Sequence, residues 1–340
     1  MTFDEYSRAV RDADVGFILT HREVQRWGLE RAELGKIRLQ LGSDGGGSIV
    51  DGITRSDAVV LIWRVGASPE HINLNGDLLR HDQLAVLEPG SHLIFATKGP
   101  RRWISVAIPV DCFGAGLLDA DSGPRAVLLS SPGRAEELSL LAAELHRASN
   151  SARPSEALDA LEQDLIAGCL DCISASARHV AGSHESFSIV DKALKILNHN
   201  DRLNFRIDEL CDVLGLSERT LLRAFHRIVG IGPKRYLMLR QLNLIRRALH
   251  DAAHDELHVT GVLTDWGVSE LGRFSGQYKS LFGELPSETL RGVRHTLPRM
   301  ARMNDVKPDA SPGHRNSVGN QARNVLVLDT NHTTDIVPIR

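Results

Sequence analysis

The sequence predicts an α+β protein of more than one domain, and three observations predict it. Residues from about 15 to 110 fall into short β-branched and aromatic runs divided by Gly, Pro, Asn and Asp. From about residue 134 leucines recur at helical spacing, and a stretch near residue 214 returns about fifty residues later. A length of 340 residues suits two domains with buried cores. An apolar share of 42% and a charged share of 24% place the chain among ordinary soluble proteins.

The runs SIVDGITRSDAVVLIWRV, QLAVLEP, HLIFAT and RWISVAIPV read as strands. Turn signals every ten residues or so predict a small sandwich or barrel, taken here as a β-barrel within 1–133. Leu138, Leu141 and Leu145, then Leu158, Leu161, Leu165 and Cys169, predict an antiparallel helix pair over 134–180. Each helix has one apolar stripe, suited to packing on the β unit or on a second copy. VAGSHESFS (Val180 to Ser188) reads as a linker, and 187–294 as helical throughout. The last residues, 297–340, are polar and aperiodic and read as a disordered tail.

Within the helical part, LGLSERTLLRAFHRIVGIGP (Leu214 to Pro233) is echoed by WGVSELGRFSGQYKSLFGELP (Trp266 to Pro286). Ile207, Leu210, Cys211 and Leu214 give one apolar face of a two-turn helix. Gly215 permits the left-handed residue that stops it, and Ser217 caps a second helix at once. In that helix Leu221, Phe225 and Ile228 point inward, while Arg219, Leu222, Arg223, His226 and Arg227 stay outside. This is a helix-turn-helix over 207–228. A second spans 259–281, with Gly267 in the turn, Ser269 as cap and Leu271, Phe274, Tyr278 and Leu281 inward. Glu270, Arg273 and Gln277 can face out, and Gly272 either starts the regular helix late or lets a backbone come close. PKRYLMLRQLNLIRRALHDA, opened by Pro233, predicts one connecting helix with a reading helix at each end.

Charge is unevenly spread. Residues 1–185 hold 18 basic and 26 acidic groups, 186–296 hold 16 and 13, and 297–340 hold 6 and 4. Between 219 and 250 there are eight basic groups and no acid, namely Arg219, Arg223, Arg227, Lys234, Arg235, Arg240, Arg246 and Arg247. Such a stripe is either a solvated helix face or a footprint for a polyanion. Leu222 is either a lone exposed leucine or a contact for a thymine methyl.

The region from Phe187 to Arg294 resembles the AraC/XylS family of bacterial transcription regulators, in both helix-turn-helix units and in the closing F-G-x-x-P. The resemblance implies a cytoplasmic, sequence-specific DNA-binding regulator, an activator responsive to a small molecule. It also implies a cupin-like β-barrel sensor, a helical dimerisation pair giving a homodimer, and RNA polymerase as a partner. By position it implies base contacts from Arg219, Leu222 and Arg223, and from Leu271, Gly272, Arg273 and Gln277 in the second unit. Arg227, Lys234, Arg235, Arg246 and Arg247 are then candidates for phosphate. The chain departs from the family at Val268, where Phe is usual, and at Glu270, an acid that would repel phosphate yet could accept from cytosine N4.

No catalytic residue, metal or cofactor is expected. His71, His81 and His92 lack the H-x-H pair of a cupin metal site, since His71 is followed by Ile72 and Asn73. Cys169 and Cys172 read as buried packing, SDGGGS (Ser43 to Ser48) as a flexible hairpin tip, and Trp27, Trp63 and Trp103 as β-core aromatics that could also line a cavity. The N-terminus lacks a signal-peptide core, and no apolar run reaches membrane-span length. Two other classes stay open: a cupin enzyme fused to a DNA-binding tail, and a constitutive DNA-binding module whose barrel only dimerises.

Overall fold

The computed structural model describes residues 1–66, 72–113, 124–151, 155–182, 184–199, 205–251 and 258–296. The chain begins with a helix, α1 (Phe3–Ala9), that the sequence analysis leaves unassigned. Its signal is local. Thr2 accepts from the Glu5 amide while Glu5 reaches back to the Thr2 amide, a capping box.

Ten strands follow: β1 (Ala13–Leu19), β2 (Gly28–Leu34), β3 (Ile37–Asp44), β4 (Ser48–Thr54), β5 (Ala58–Val65), β6 (Ile72–Leu74), β7 (Asp77–Leu79), β8 (Gln83–Leu87), β9 (His92–Thr97) and β10 (Arg101–Pro109). Then come β11 (Ala126–Ser130), α2 (Arg134–Ser149), α3 (Ser155–Ala175) and β12 (Ala177–Ala181). They pair into two antiparallel sheets, β1-β4-β9-β6-β7 and β12-β11-β8-β5-β10-β3-β2. The expected barrel is therefore not closed. The halves are two face-to-face sheets, each keeping its own edges among the described residues.

Alternation along β5 shows why the run AVVLIW is apolar without a break. Val59, Leu61 and Trp63 face α2 and α3, with Leu138, Leu145, Leu165 and Cys169. Ala58 and Val60 face the space between the sheets, with Phe17, Val50, Phe95 and Trp103. A strand buried on both faces has no polar side to show. Trp63 donates to Ser139 Oγ of α2 at 2.8 Å, and Cys169 and Cys172 lie buried and unbridged in the same layer.

Two local expectations are corrected. SDGGGS is not a loose tip: Gly45, Gly46 and Gly47 are buried where the chain crosses from β3 in one sheet to β4 in the other. A Cβ on Gly45 would lie 2.3 Å from the Gln25 carbonyl oxygen, and one on Gly47 would lie 2.7 Å from that of Lys98. Nor is 180–188 a linker. Ala177–Ala181 pairs with β11 in the register Ala126↔Ala181, and α4 (Glu185–Asn198) starts four residues later, capped by His184. Its sequence has no strand alternation, so pairing with a waiting edge decided it.

The helical half continues with α5 (Ile207–Leu214), α6 (Glu218–Val229), α7 (Pro233–Asp251), α8 (Val259–Asp265), α9 (Leu271–Phe282) and α10 (Pro286–Thr296). It does not stand apart from the β half. The outer face of the smaller sheet, through Ile49, Ile94 and Ala96, shares a core with Val190 and Leu194 of α4, Leu210 of α5 and Phe225 and Ile228 of α6. Met1–Leu297 is accordingly one unit. The expected tail at 297–340 lies outside the described residues, as does His71.

Candidate nucleic-acid interface

The sequence repeat reappears as a repeat of hydrogen bonds. α5 ends at Gly215 with φ 65°, where Gly215 N–H donates to the Asp212 carbonyl and Leu216 N–H to that of Cys211. After α8, Gly267 has φ 72°, its N–H donates to Thr264 and that of Val268 to Leu263. A left-handed glycine followed by an apolar residue closes both corners. α6 and α9 each run 12 residues and stop at left-handed glycines, Gly230 and Gly283.

The start of the second reading helix differs from expectation. Ser217 caps α6 by accepting from Thr220 N–H at 3.2 Å. Ser269 does not cap α9; Glu270 sits at that position, makes no cap bond, and pairs with Arg273 at 3.3 Å.

Helix α7 sorts its side chains by face. Tyr236, Arg240, Asn243 and Arg247 share the face turned to the β half. Asn243 bonds the Leu19 backbone in both senses, accepting at 2.9 Å and donating at 3.1 Å. Arg240 donates to the Leu197 carbonyl at 2.5 Å and Arg247 to the Phe17 carbonyl at 2.6 Å. Burial lowers the pKa of both guanidinium groups. Lys234, Met238 and Gln241 lie on roughly the opposite face and border two grooves at once. One groove is also lined by Glu218, Arg219 and Leu222 of α6, the other by Ser269, Glu270, Arg273 and Gln277 at the start of α9. Both reading helices thus begin beside one open face of α7.

Their separation is not set by the length of α7, as the sequence suggested. α8 and α9 pack back along it, with Val262, Leu263, Phe274 and Tyr278 against the cluster of Leu239, Leu242, Ile245 and Leu249. The second reading helix therefore starts near the first turns of the connector.

The basic stripe divides. Arg219, Arg223, Arg227, Lys234 and Arg235 are exposed, as is Leu222 at 46%. Arg246 and Arg247 are placed differently from a phosphate contact, because the β half engages them. Arg246 bonds Asp4 of α1 at 2.8 Å and Glu284 at 2.7 Å, and lies 4.6 Å over the Phe282 ring. Asp4 is also 3.1 Å from His250, and Arg8 pairs with Asp251 at 2.7 Å. Leu271, expected at a base, is partly buried against the core, whereas Gly272 and Arg273 are exposed and Gln277 is half-buried in its groove.

Burial alone would raise the Asp4 pKa, but the His250 hydrogen bond and the Arg246 charge lower it to about 2. A carboxyl depressed in the folded state contributes stability above its unfolded pKa and loses it as pH falls through the folded value. Titrating the protein from about pH 4 to pH 2 is expected to remove on the order of 2 kcal/mol through this group. Acid unfolding of Asp4→Asn beside the unaltered protein checks it, since the substituted protein should lack that loss.

Between the sheets lies a cavity of about 70 Å³, lined by Tyr6, Phe17, Val60, Phe95 and Trp103, with Arg101 and Gln40 at its polar side. Arg101 bonds buried Asp44 at 2.5 Å, Trp103 donates to Asp44 at 3.0 Å, and Tyr6 donates to Asp44 as well. His92 Nδ1 lies 2.8 Å from Asp191 Oδ1. Among the described residues no group of three or more His, Cys, Asp or Glu side chains is gathered to hold a metal, and no helix is long and apolar enough to cross a membrane.

Two helix-turn-helix units joined by one helix, opening on a shared face with free arginines, define a DNA-binding helix-turn-helix domain. Sequence comparison with known proteins agrees. Residues 210–292 match a family described as "Helix-turn-helix domain". The chain is 35% identical over 101 residues to the XylDLEGF operon transcriptional activator of Pseudomonas putida, covering 30% of this chain and 32% of that protein. It is 32% identical over 105 residues to a probable thc operon regulatory protein of Rhodococcus erythropolis, covering 31% and 32%. Among solved structures, the AraC-like transcriptional activator CuxR overlaps 64% of this chain and 79% of its own, with 14% identity and a TM-score of 0.35. ToxT from Vibrio cholerae O395 overlaps 83% and 98%, with 10% identity and a TM-score of 0.31. Over its C-terminal region the chain is thus similar to bacterial operon regulators. The match spans about a third of the length of those two relatives.

Proposed function

We propose that this chain is a cytoplasmic, sequence-specific transcription regulator that binds double-stranded DNA through the open face of α7. The observation that carries this is the sorting of the basic stripe, with Arg219, Arg223 and Arg227 of α6 exposed while Arg240, Arg246 and Arg247 of α7 serve the fold. In this reading Arg219 and Arg223 make bidentate bonds to guanine O6 and N7, and Leu222 meets a thymine methyl. Arg227, Lys234 and Arg235 supply phosphate contacts, whose affinity is salt-dependent and nearly blind to sequence. In this reading the β half does no chemistry; it takes a small effector between its sheets, and α2 and α3 support a homodimer. Activation through RNA polymerase would follow, as the Pseudomonas putida relatives are named transcriptional activators.

Selection of bound duplexes from random DNA, with and without candidate metabolites, tests the reading. Arg223→Ala is expected to lose about 1–3 kcal/mol of discrimination at one base pair. If it weakens operator and scrambled DNA equally across a salt series, base reading by α6 is wrong.

A further inference from the structure

We propose that base recognition by this chain is confined to α6, and that α9 holds the duplex without reading it. This rests on the DNA-binding function above and divides it between the two helices.

The two repeats align in two registers. Gly215 and Gly267 open the turns, and α6 starts at the third residue after its glycine while α9 starts at the fourth. The second turn is one residue longer, which is why Ser269 misses the cap and Glu270 takes its place. Within the helices the buried anchors confirm the shift: Leu221, Phe225 and Ile228 correspond to Phe274, Tyr278 and Leu281, all buried. Counted that way, the exposed Arg219, Leu222 and Arg223 of α6 fall on Gly272, Ser275 and Gly276 of α9. The reading positions of the second helix carry no long side chain, only one serine between two glycines, so none can make the bidentate base contact open to Arg219 and Arg223.

Packing does not demand those glycines. A Cβ on Gly272 or Gly276 would meet nothing within 4 Å, and neither residue has a left-handed φ. Each weakens the helix against alanine, and no neighbour fills the space. Arg273 and Gln277 correspond to Thr220 and buried Ala224, which turns them off the reading face towards the groove beside α7. Arg273 is held by Glu270 across one turn. Lys279, at the place of His226, is exposed. Exposed cations at the flanks of a bare face suit sugar and phosphate, which position a protein without specifying sequence.

Duplex selection by the full chain separates the possibilities. The unaltered protein is expected to enrich one defined box, beside a neighbouring segment that footprinting finds protected and selection leaves without base preference. Gly276→Arg, the counterpart of Arg223, should add an enriched guanine there. Arg273→Ala and Lys279→Ala should weaken binding to every duplex by the same factor, and lower the salt slope by about 1 each. Two equally defined boxes from the unaltered protein would overturn the inference. So would relaxed base preference in Arg273→Ala, or Gly276→Arg binding DNA and selecting the same single box. Enrichment of no sequence at all would instead overturn the regulator reading itself.

Discussion

Replacing Phe225 by alanine is expected to cost about 3–5 kcal/mol and to uncouple α6 from the rest of the molecule. The ring is fully buried and meets Tyr236 edge-on at 5.5 Å. It belongs to the core that α4, α5 and α6 share with the smaller sheet, so truncation opens a cavity where three elements and a sheet meet. A urea titration followed by tryptophan fluorescence and far-UV circular dichroism measures the change. Leu222→Ala provides the contrast, since Leu222 sits on the same helix yet is 46% exposed. Its midpoint should hardly move, while its DNA affinity falls wherever a thymine methyl was in contact. An unaltered midpoint for Phe225→Ala would mean that α6 is not packed as described.

The second large effect is expected at Arg246. Removing it leaves Asp4 buried without its ion-pair partner, and breaking a buried ion pair in this way costs about 3–5 kcal/mol. Arg246 also joins three parts of the chain: α1 through Asp4, the turn before α10 through Glu284, and α9 through the Phe282 ring. Arg246→Ala should therefore lower stability and speed hydrogen exchange in both α1 and α9. Arg246→Met restores much of the packing without the charge, and Asp4→Asn combined with Arg246→Met should recover part of the loss. A phosphate-contact role predicts something else: unaltered stability, with a salt slope reduced by about 1. The two outcomes are distinct in a single denaturation series.

Periodicity and turn chemistry are local, and what depends on them was legible in the residues alone. α5 was readable from Ile207 to Leu214, its left-handed stop at Gly215, the cap at Ser217 and the opening of α7 at Pro233. α1 was legible too, in the Thr2–Glu5 capping box. The β half was legible as strands but not as sheets. Nothing in a strand's own residues says which neighbour it will pair with, and so a closed barrel and two open sheets look alike. For the same reason β12, with no alternation of its own, was invisible until β11 offered an edge.

The site divides along the same line. The basic stripe between 219 and 250 is a property of the sequence, and so is the identity of the repeat. Which cations stay free is not. Arg223 and Arg246 are the same side chain on neighbouring helices, and only packing shows that one faces solvent while the other neutralises Asp4. The register of α9 is decided likewise. One extra residue in a turn rotates every later side chain by about 100° relative to the glycine before it, and the helix settles where Phe274, Tyr278 and Leu281 reach the core. Local sequence determined that two reading helices exist, where the first begins and where both stop; burial, a long-range and cooperative effect, decided where the second begins and which of their faces meets the outside.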